Sequence, residues 1–288
     1  MSESRFALPD PAQVAADVAR ALAEDIGGGD VTAALLPASE LGAMQLCCRE
    51  AAVLAGRDWF AGCFRALDPA VSLHWSAAAA DGDRVAAGDI LCRIEGNLRA
   101  LLGAERSALN FLQTLSATAT TAARYVGAVA GTRALILDTR KTLPGLRQAQ
   151  KYAVRCGGAH NHRIGLFDAV LIKENHIAAA GGIAAAIATA RRLQPQLLVQ
   201  VEVENADELE QALAAGPDRI MLDDFDLDGI AAAVHRVAGR VPLEVSGGVN
   251  LACVRAIAET GVDFISIGAL TKHVRAIDLS LRLLPPPN

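Results

Sequence analysis

The sequence predicts an α/β protein: a β/α barrel with fewer than the usual eight strands, preceded by a smaller α+β domain. Three observations carry this. From about Arg133 onward, apolar strand-like runs alternate with amphipathic helical stretches, the pattern of a parallel sheet with right-handed crossovers. About six such units fit into that segment, short of the eight of a full barrel. Each run also ends in polar or glycine residues, as strands do at the active face of a barrel. A doubly wound open sheet is the alternative that the same alternation permits.

Taken in order, Asp10-Pro11 joins an N-cap to proline at the first helical position and starts a helix through about Glu24. GGGDVT (27–32) breaks it. Strand-like runs follow at MQLCCRE (44–50), SLHW (72–75) and DRVAAGDILCRIEG (83–96). The last is similar to half of a biotinyl or lipoyl domain. It lacks a lysine at the tip that could carry the group, so it reads as a structural hairpin. Asn97 then caps a long helix carrying LLGAERSALNFLQTL (101–115), and the first domain ends near residue 115. The barrel strands are ALILD (134–138), AVLIK (169–173), LLVQVEVE (197–204), RIMLDD (219–224), PLEVSGG (242–248) and DFISIGAL (263–270). GIAAAIATARRL and NADELEQALAAG are two of the helices between them.

The bulk numbers exclude several classes. With 288 residues, 52% hydrophobic and 20% charged, the chain is long enough for a large core and typical of a soluble globular protein. A net charge of −5 argues against nucleic acid or an anionic membrane as the main partner. Any anion site must therefore be a local cluster of cations. MSESRFALPDPAQV shows no apolar core of signal-peptide length, and no apolar run is long enough to span a bilayer. Cys47, Cys48, Cys63, Cys92, Cys156 and Cys253 form no CxxC pair, which points to reduced thiols in the cytoplasm.

The strand ends carry the chemistry. In order they present Arg140-Lys141, Lys173, Glu202 with Glu204, Asp223-Asp224, Ser246-Gly247-Gly248, and Gly268. In LLVQVEVE, the period of two sends Val199, Val201 and Val203 toward the helices and leaves Glu202 facing the barrel interior. The cations suit a substrate with several negative charges, arginine in particular suiting carboxylate or phosphate. The acids suit Mg²⁺ held with substrate phosphate oxygens. SGGVN and SIGALT are glycine-rich turns before helix starts, whose backbone N–H groups suit phosphate. Each has a plainer reading: Lys173 as half of a structural ion pair, HNHR (160–163), whose two histidines also suit a metal, as surface or substrate groups, Glu204 and Asp224 as structural acids. A Schiff-base aldolase using Lys173 is an alternative of another class.

Read together, EDIGGGDVT, LLGAERSALNFLQTLS, DTRKTLPGLRQAQKYAV, GGAHNHRIGLFDAVLIKENH, VEVEN, IMLDDF, LEVSGG and ETGVDFISIGALTKH resemble the quinolinate phosphoribosyltransferase family, in that family's order over nearly the whole chain. The resemblance implies an N-terminal open α/β sandwich domain over 1–115, rejoined by the tail 274–288, and an incomplete β/α barrel over 116–273. It implies transfer of a phosphoribosyl group from phosphoribosyl pyrophosphate to quinolinate with Mg²⁺, releasing CO₂, in de novo NAD synthesis. It further implies a cytoplasmic homodimer, or a higher oligomer built from it, with Arg106 reaching the neighbouring active site. Arg140, His162 and Arg163 would hold the two carboxylates, while Lys141 and Lys173 would neutralise donor and substrate. Glu202 and Asp223 would engage the ribose hydroxyls and the metal. Thr139, Ser246, Gly247, Gly248, Ile267, Gly268 and Ala269 would complete the substrate-binding set. Two departures stand out: Asp224 where the family often has asparagine, and His160 where a small residue is usual. A same-fold relative of the molybdenum-associated branch, with another substrate, is the alternative within the resemblance.

Overall fold

The computed structural model describes residues 8–285. The first seven residues of the stretch read for a targeting signal and the last three of the tail lie outside them. The described residues divide into two compact units: those up to 123, 143–158 and those from 273 onward in one, residues 124–142 and 159–272 in the other.

The first unit opens with α1 (Pro11–Ile26), capped by Asp10, whose side chain accepts from the Ala12 N–H. Then come β1 (Leu41–Cys48), β2 (Ala52–Val53), α2 (Arg57–Leu67), β3 (Ser72–Trp75), β4 (Arg84–Val85), β5 (Ile90–Asn97) and the long α3 (Leu98–Ala128). Asn97 does cap α3, accepting from the Ala100 N–H at 3.3 Å. The segment 83–96 is not the hairpin that its sequence suggests. β4 pairs with β2 in a two-stranded ribbon, whereas β5 joins β1 and β3. Between them Gly88, at φ +94°, donates its N–H to the Cys48 carbonyl, so the turn docks on β1 and sends the two strands to different partners.

The main sheet of this unit has the order β12-β1-β5-β3, where β12 is Leu279–Leu283 near the C-terminus. One face is apolar: Met44, Leu46, Cys92 and Ile94 are buried with Trp59, Phe60 and Phe64 of α2. The other carries Gln45 and the exposed Arg93–Glu95 ion pair, and this polar alternation leaves the sandwich open on that side. α4 (Arg147–Cys156) belongs to the same core through Ala149, Tyr152 and Ala153. Gly157 ends it where a Cβ would stand 2.3 Å from the Ala119 carbonyl oxygen of α3, so only glycine fits.

The second unit is the barrel. β6 (Leu135–Leu137), β7 (Val170–Ile172), β8 (Val199–Val203), β9 (Arg219–Asp223), β10 (Leu243–Ser246) and β11 (Phe264–Ser266) form one parallel sheet in the order β6-β11-β10-β9-β8-β7. The neighbours run round in chain order, as in a barrel, and the ring stays unpaired between β6 and β7. A doubly wound sheet would reverse its order midway, which this sheet does not. At the seam His160 makes a single parallel bridge to Leu137. Its side chain is exposed, so the departure at His160 uses backbone alone. Helices α5 (Glu174–Ala180), α6 (Ile183–Leu193), α7 (Ala206–Ala215), α8 (Leu227–Val237), α9 (Val254–Glu259) and α10 (Ala269–Lys272) alternate with the strands. Among the described residues no helix is long and apolar enough to cross a membrane, and the six cysteines are free thiols.

Candidate active site

At the C-terminal ends of the barrel strands lies a cavity of about 280 Å³. Nine of the residues singled out from the sequence line it: Thr139, Arg140, Lys141, His162, Arg163, Lys173, Glu202, Asp223 and Ser246. Seven of them lie in or just after a parallel strand, and parallel strands put all their C-terminal ends on one rim, while His162 and Arg163 follow the His160 bridge to Leu137. Leu171, Met221 and Ser266, which the sequence reading passed over, complete the lining.

β8 shows how the strand period builds the site. All five of its residues are buried, and the polar phase, Gln200 and Glu202, makes its hydrogen bonds inside the barrel. Both Glu202 carboxylate oxygens accept from Lys173 Nζ, at 2.6 and 2.9 Å. Glu202 is buried while the Lys173 side chain is 43% exposed, so the pair spans the floor and mouth of the cavity. Burial pushes the Glu202 carboxyl above its usual range; the Lys173 hydrogen bond and charge offset this in part, and Asp223 adds to the rise. The plainer reading of Lys173, an ion pair with a barrel acid, is thus realised within the same cavity that a catalytic role requires.

The cations are set by short-range contacts. Thr139 Oγ1 accepts the Lys141 N–H at 3.0 Å, and the Lys141 carbonyl accepts from Thr271. Arg163 donates to the Ala169 carbonyl. Its guanidinium acidity rises through burial first and then through the nearby charge of Arg140, with Asp168 opposing. Two like charges brought this close favour an anion between them.

The glycine turns sit at the margin. Gly247 and Gly248 follow Ser246 with φ of +92° and +58° and are exposed. α9 begins only at Val254, so this turn offers loop amides and no helix start, a correction to the reading of SGGVN. A Cβ on Gly247 would lie 1.9 Å from an Asp224 carboxylate oxygen, and Asp224 itself has φ +54°. Asp224 is therefore packed on the glycine turn, and its left-handed backbone suits the aspartate or asparagine type. Ile267 is buried, donating to the Leu137 carbonyl, and Gly268 lies against Lys141, where a Cβ would approach its Cδ to 2.9 Å. Ala269 opens α10. Arg106 is exposed on α3 in the first unit and is not among the cavity-lining residues. A cleft of about 300 Å³ in that unit is lined by Asp17, Glu24 and Asp25 beside Arg20, an acidic setting that does not suit a polyanion.

Fold and site together define an incomplete β/α-barrel enzyme built around a compact cationic cavity lined by two carboxylates, Glu202 and Asp223. The comparisons with known proteins give the family. Residues 30–116 match the profile described as "Quinolinate phosphoribosyl transferase, N-terminal domain", and residues 118–282 match that of the C-terminal domain. The chain belongs to the quinolinate phosphoribosyl transferase family. It is 43% identical over 267 residues to a probable nicotinate-nucleotide pyrophosphorylase [carboxylating] of Synechocystis, covering 91% of this chain and 90% of the relative. It is 42% identical over 274 residues to the Mycobacterium leprae nicotinate-nucleotide pyrophosphorylase [carboxylating], covering 92% and 95%. The solved structure of nicotinate-nucleotide pyrophosphorylase from Francisella tularensis superposes with a TM-score of 0.91 at 45% identity, covering 99% of this chain and all of that one.

Proposed function

We propose that this protein is a decarboxylating phosphoribosyltransferase that joins quinolinate to phosphoribosyl pyrophosphate, giving nicotinate mononucleotide, pyrophosphate and CO₂ for NAD synthesis. The observation that carries this is that Arg140 and Arg163 line one cavity together with the Lys173–Glu202 pair, near enough for the Arg140 charge to act on Arg163. A planar dicarboxylate has the charge and the paired acceptors to bridge two neighbouring guanidinium groups.

In this reading Arg140 and Arg163, with His162 beside them in the lining, hold the carboxylates, and Lys141 and Lys173 offset the charge of donor and substrate. The C1–oxygen bond to pyrophosphate breaks, its electron pair leaving with pyrophosphate, and the ring-nitrogen lone pair forms the new bond to C1. Oriented charges suffice for this step, since positioning and charge stabilisation dominate it. The quaternary ring nitrogen then draws the electron pair of the adjacent carbon–carboxylate bond onto the ring carbon, CO₂ departs, and the carbon takes a proton. Over-tight holding of that carboxylate would slow the second step, which favours contacts shared among several cations.

Mg²⁺ fits the acids present. Among the described residues no group of three or more His, Cys, Asp or Glu side chains could cage a metal. Asp223 on the rim, with Glu202 beneath, suits an ion bound mainly by donor phosphate oxygens, which it would shield and orient. The cytoplasmic location is supported by the free thiols. A homodimer with Arg106 of a second copy completing the site is supported by the exposure of that arginine.

An end-point assay with Mg²⁺ and phosphoribosyl pyrophosphate, offering quinolinate or nicotinate separately, tests the reading. Nicotinate mononucleotide and captured CO₂ from quinolinate alone are expected. No product from quinolinate with folded protein would overturn the substrate assignment and point to the molybdenum-associated branch.

A further inference from the structure

Glu244 lies on β10 two residues before Ser246, in the same strand phase, and so one layer below the cavity. Its side chain is fully buried. Barrel interiors are ordinarily filled by branched apolar side chains. Here the carboxylate gathers polar groups from three strands and a loop. Gln200 of β8 donates to it at 2.9 Å, Arg219 of β9 at 3.0 Å, and Ser266 of β11 through its hydroxyl. His162 Nε2 stands 3.4 Å from one carboxylate oxygen and 3.0 Å from Gln200 Oε1.

Two of these partners, Ser266 and His162, themselves line the cavity, so Glu244 reaches the site through them. On the far side of the imidazole, Nδ1 accepts the Arg163 N–H at 2.7 Å. An accepting Nδ1 leaves the proton of the neutral ring on Nε2, aimed at Gln200 and Glu244. The same turn is anchored by Asp138, which accepts from the His162 N–H at 2.8 Å and from Asn161 at 2.6 Å. Two buried carboxylates thus grip the segment that carries Arg163.

Burial alone would lift the Glu244 carboxyl, yet the hydrogen bonds of His162, Ser266 and Gln200 hold it below the usual carboxylate range. An ion pair buried this deeply is seldom worth more to stability than apolar residues of similar volume. A specifying role accounts better for its place.

We propose that Glu244 is a positioning residue for the dicarboxylate half of the site: from beneath the floor it fixes the His162 ring, with the proton on Nε2, and so the turn bearing Arg163. The proposal rests on the quinolinate reading above, and its tests separate the two. Ring ¹⁵N NMR of the full-length wild type, with the His162 signal assigned by its loss in His162→Gln, should show the Nε2–H tautomer at mildly alkaline pH. An Nδ1–H tautomer would overturn the proposal whatever the substrate. Glu244→Gln keeps the shape and removes most of the accepting capacity. It should raise the KM for quinolinate about tenfold, leave that for phosphoribosyl pyrophosphate within about twofold, and move the His162 resonances. An unchanged quinolinate KM, or equal rises in both KM values, would also overturn it. If Glu244→Gln does not fold, the wild-type tautomer decides alone. Absence of quinolinate turnover in the wild type would instead sink the functional reading and leave the tautomer result standing.

Discussion

Glu202 shows how one side chain can serve chemistry at the expense of stability. Its carboxyl is raised by burial, with Lys173 opposing and Asp223 reinforcing the shift. A carboxyl raised in the folded state gives stability that is full below the unfolded value, about 4.3, and lost as pH climbs through the raised value. Glu202→Gln removes that loss. Relative to the variant, the wild type should therefore lose stability between acid and neutral pH, while the variant loses turnover by about 10²–10³. Thermal melts across pH, paired with the turnover assay, check this. A variant less stable than wild type at neutral pH would show the Lys173 pair to be structural first. Glu202 was readable from the sequence because a carboxylate on a buried strand face is costly unless a cation or a ligand meets it. Ser266 and Glu244 escaped notice because they sit inside strands whose inward phase the sequence alone did not single out.

At the scale of elements, each barrel strand was legible from its apolar run and the polar residues that end it. What each strand pairs with was not. DRVAAGDILCRIEG has the alternation of a hairpin, yet β4 and β5 lie in different sheets because the Gly88 turn docks on Cys48 of β1. Local alternation reports which face is buried and is silent about the partner edge. Caps are more local and more reliable. Asn205, extended at φ −154°, accepts the Glu208 N–H at 2.9 Å and starts α7 directly after β8. Asn205→Ala should cost about 1 kcal/mol and lower Tm by a few degrees, with the kinetic constants of the enzyme preserved. A melt indistinguishable from wild type would mean that the cap is not contributing.

At the scale of the molecule, the barrel supplies Arg140, Lys173 and Glu202, while Arg106 stands exposed on α3 in the other unit. If a second copy completes the site, Arg106→Ala and Arg140→Ala chains, each inactive alone, should regain activity when mixed, since one mixed site per dimer keeps both arginines. Mixtures that stay inactive despite exchange of subunits would remove Arg106 from the neighbouring site. The sequence by itself determined the strand–helix alternation, the rim residues and the family, because periodicity, caps and ordered motifs are written in neighbouring residues. Only the tertiary structure decided that the ring stays open between β6 and β7, that the returning tail pairs with β1 and no other strand, and that Glu244 sits under His162. Each of these joins residues far apart in the chain, and such contacts follow from how whole faces pack, which no local pattern records.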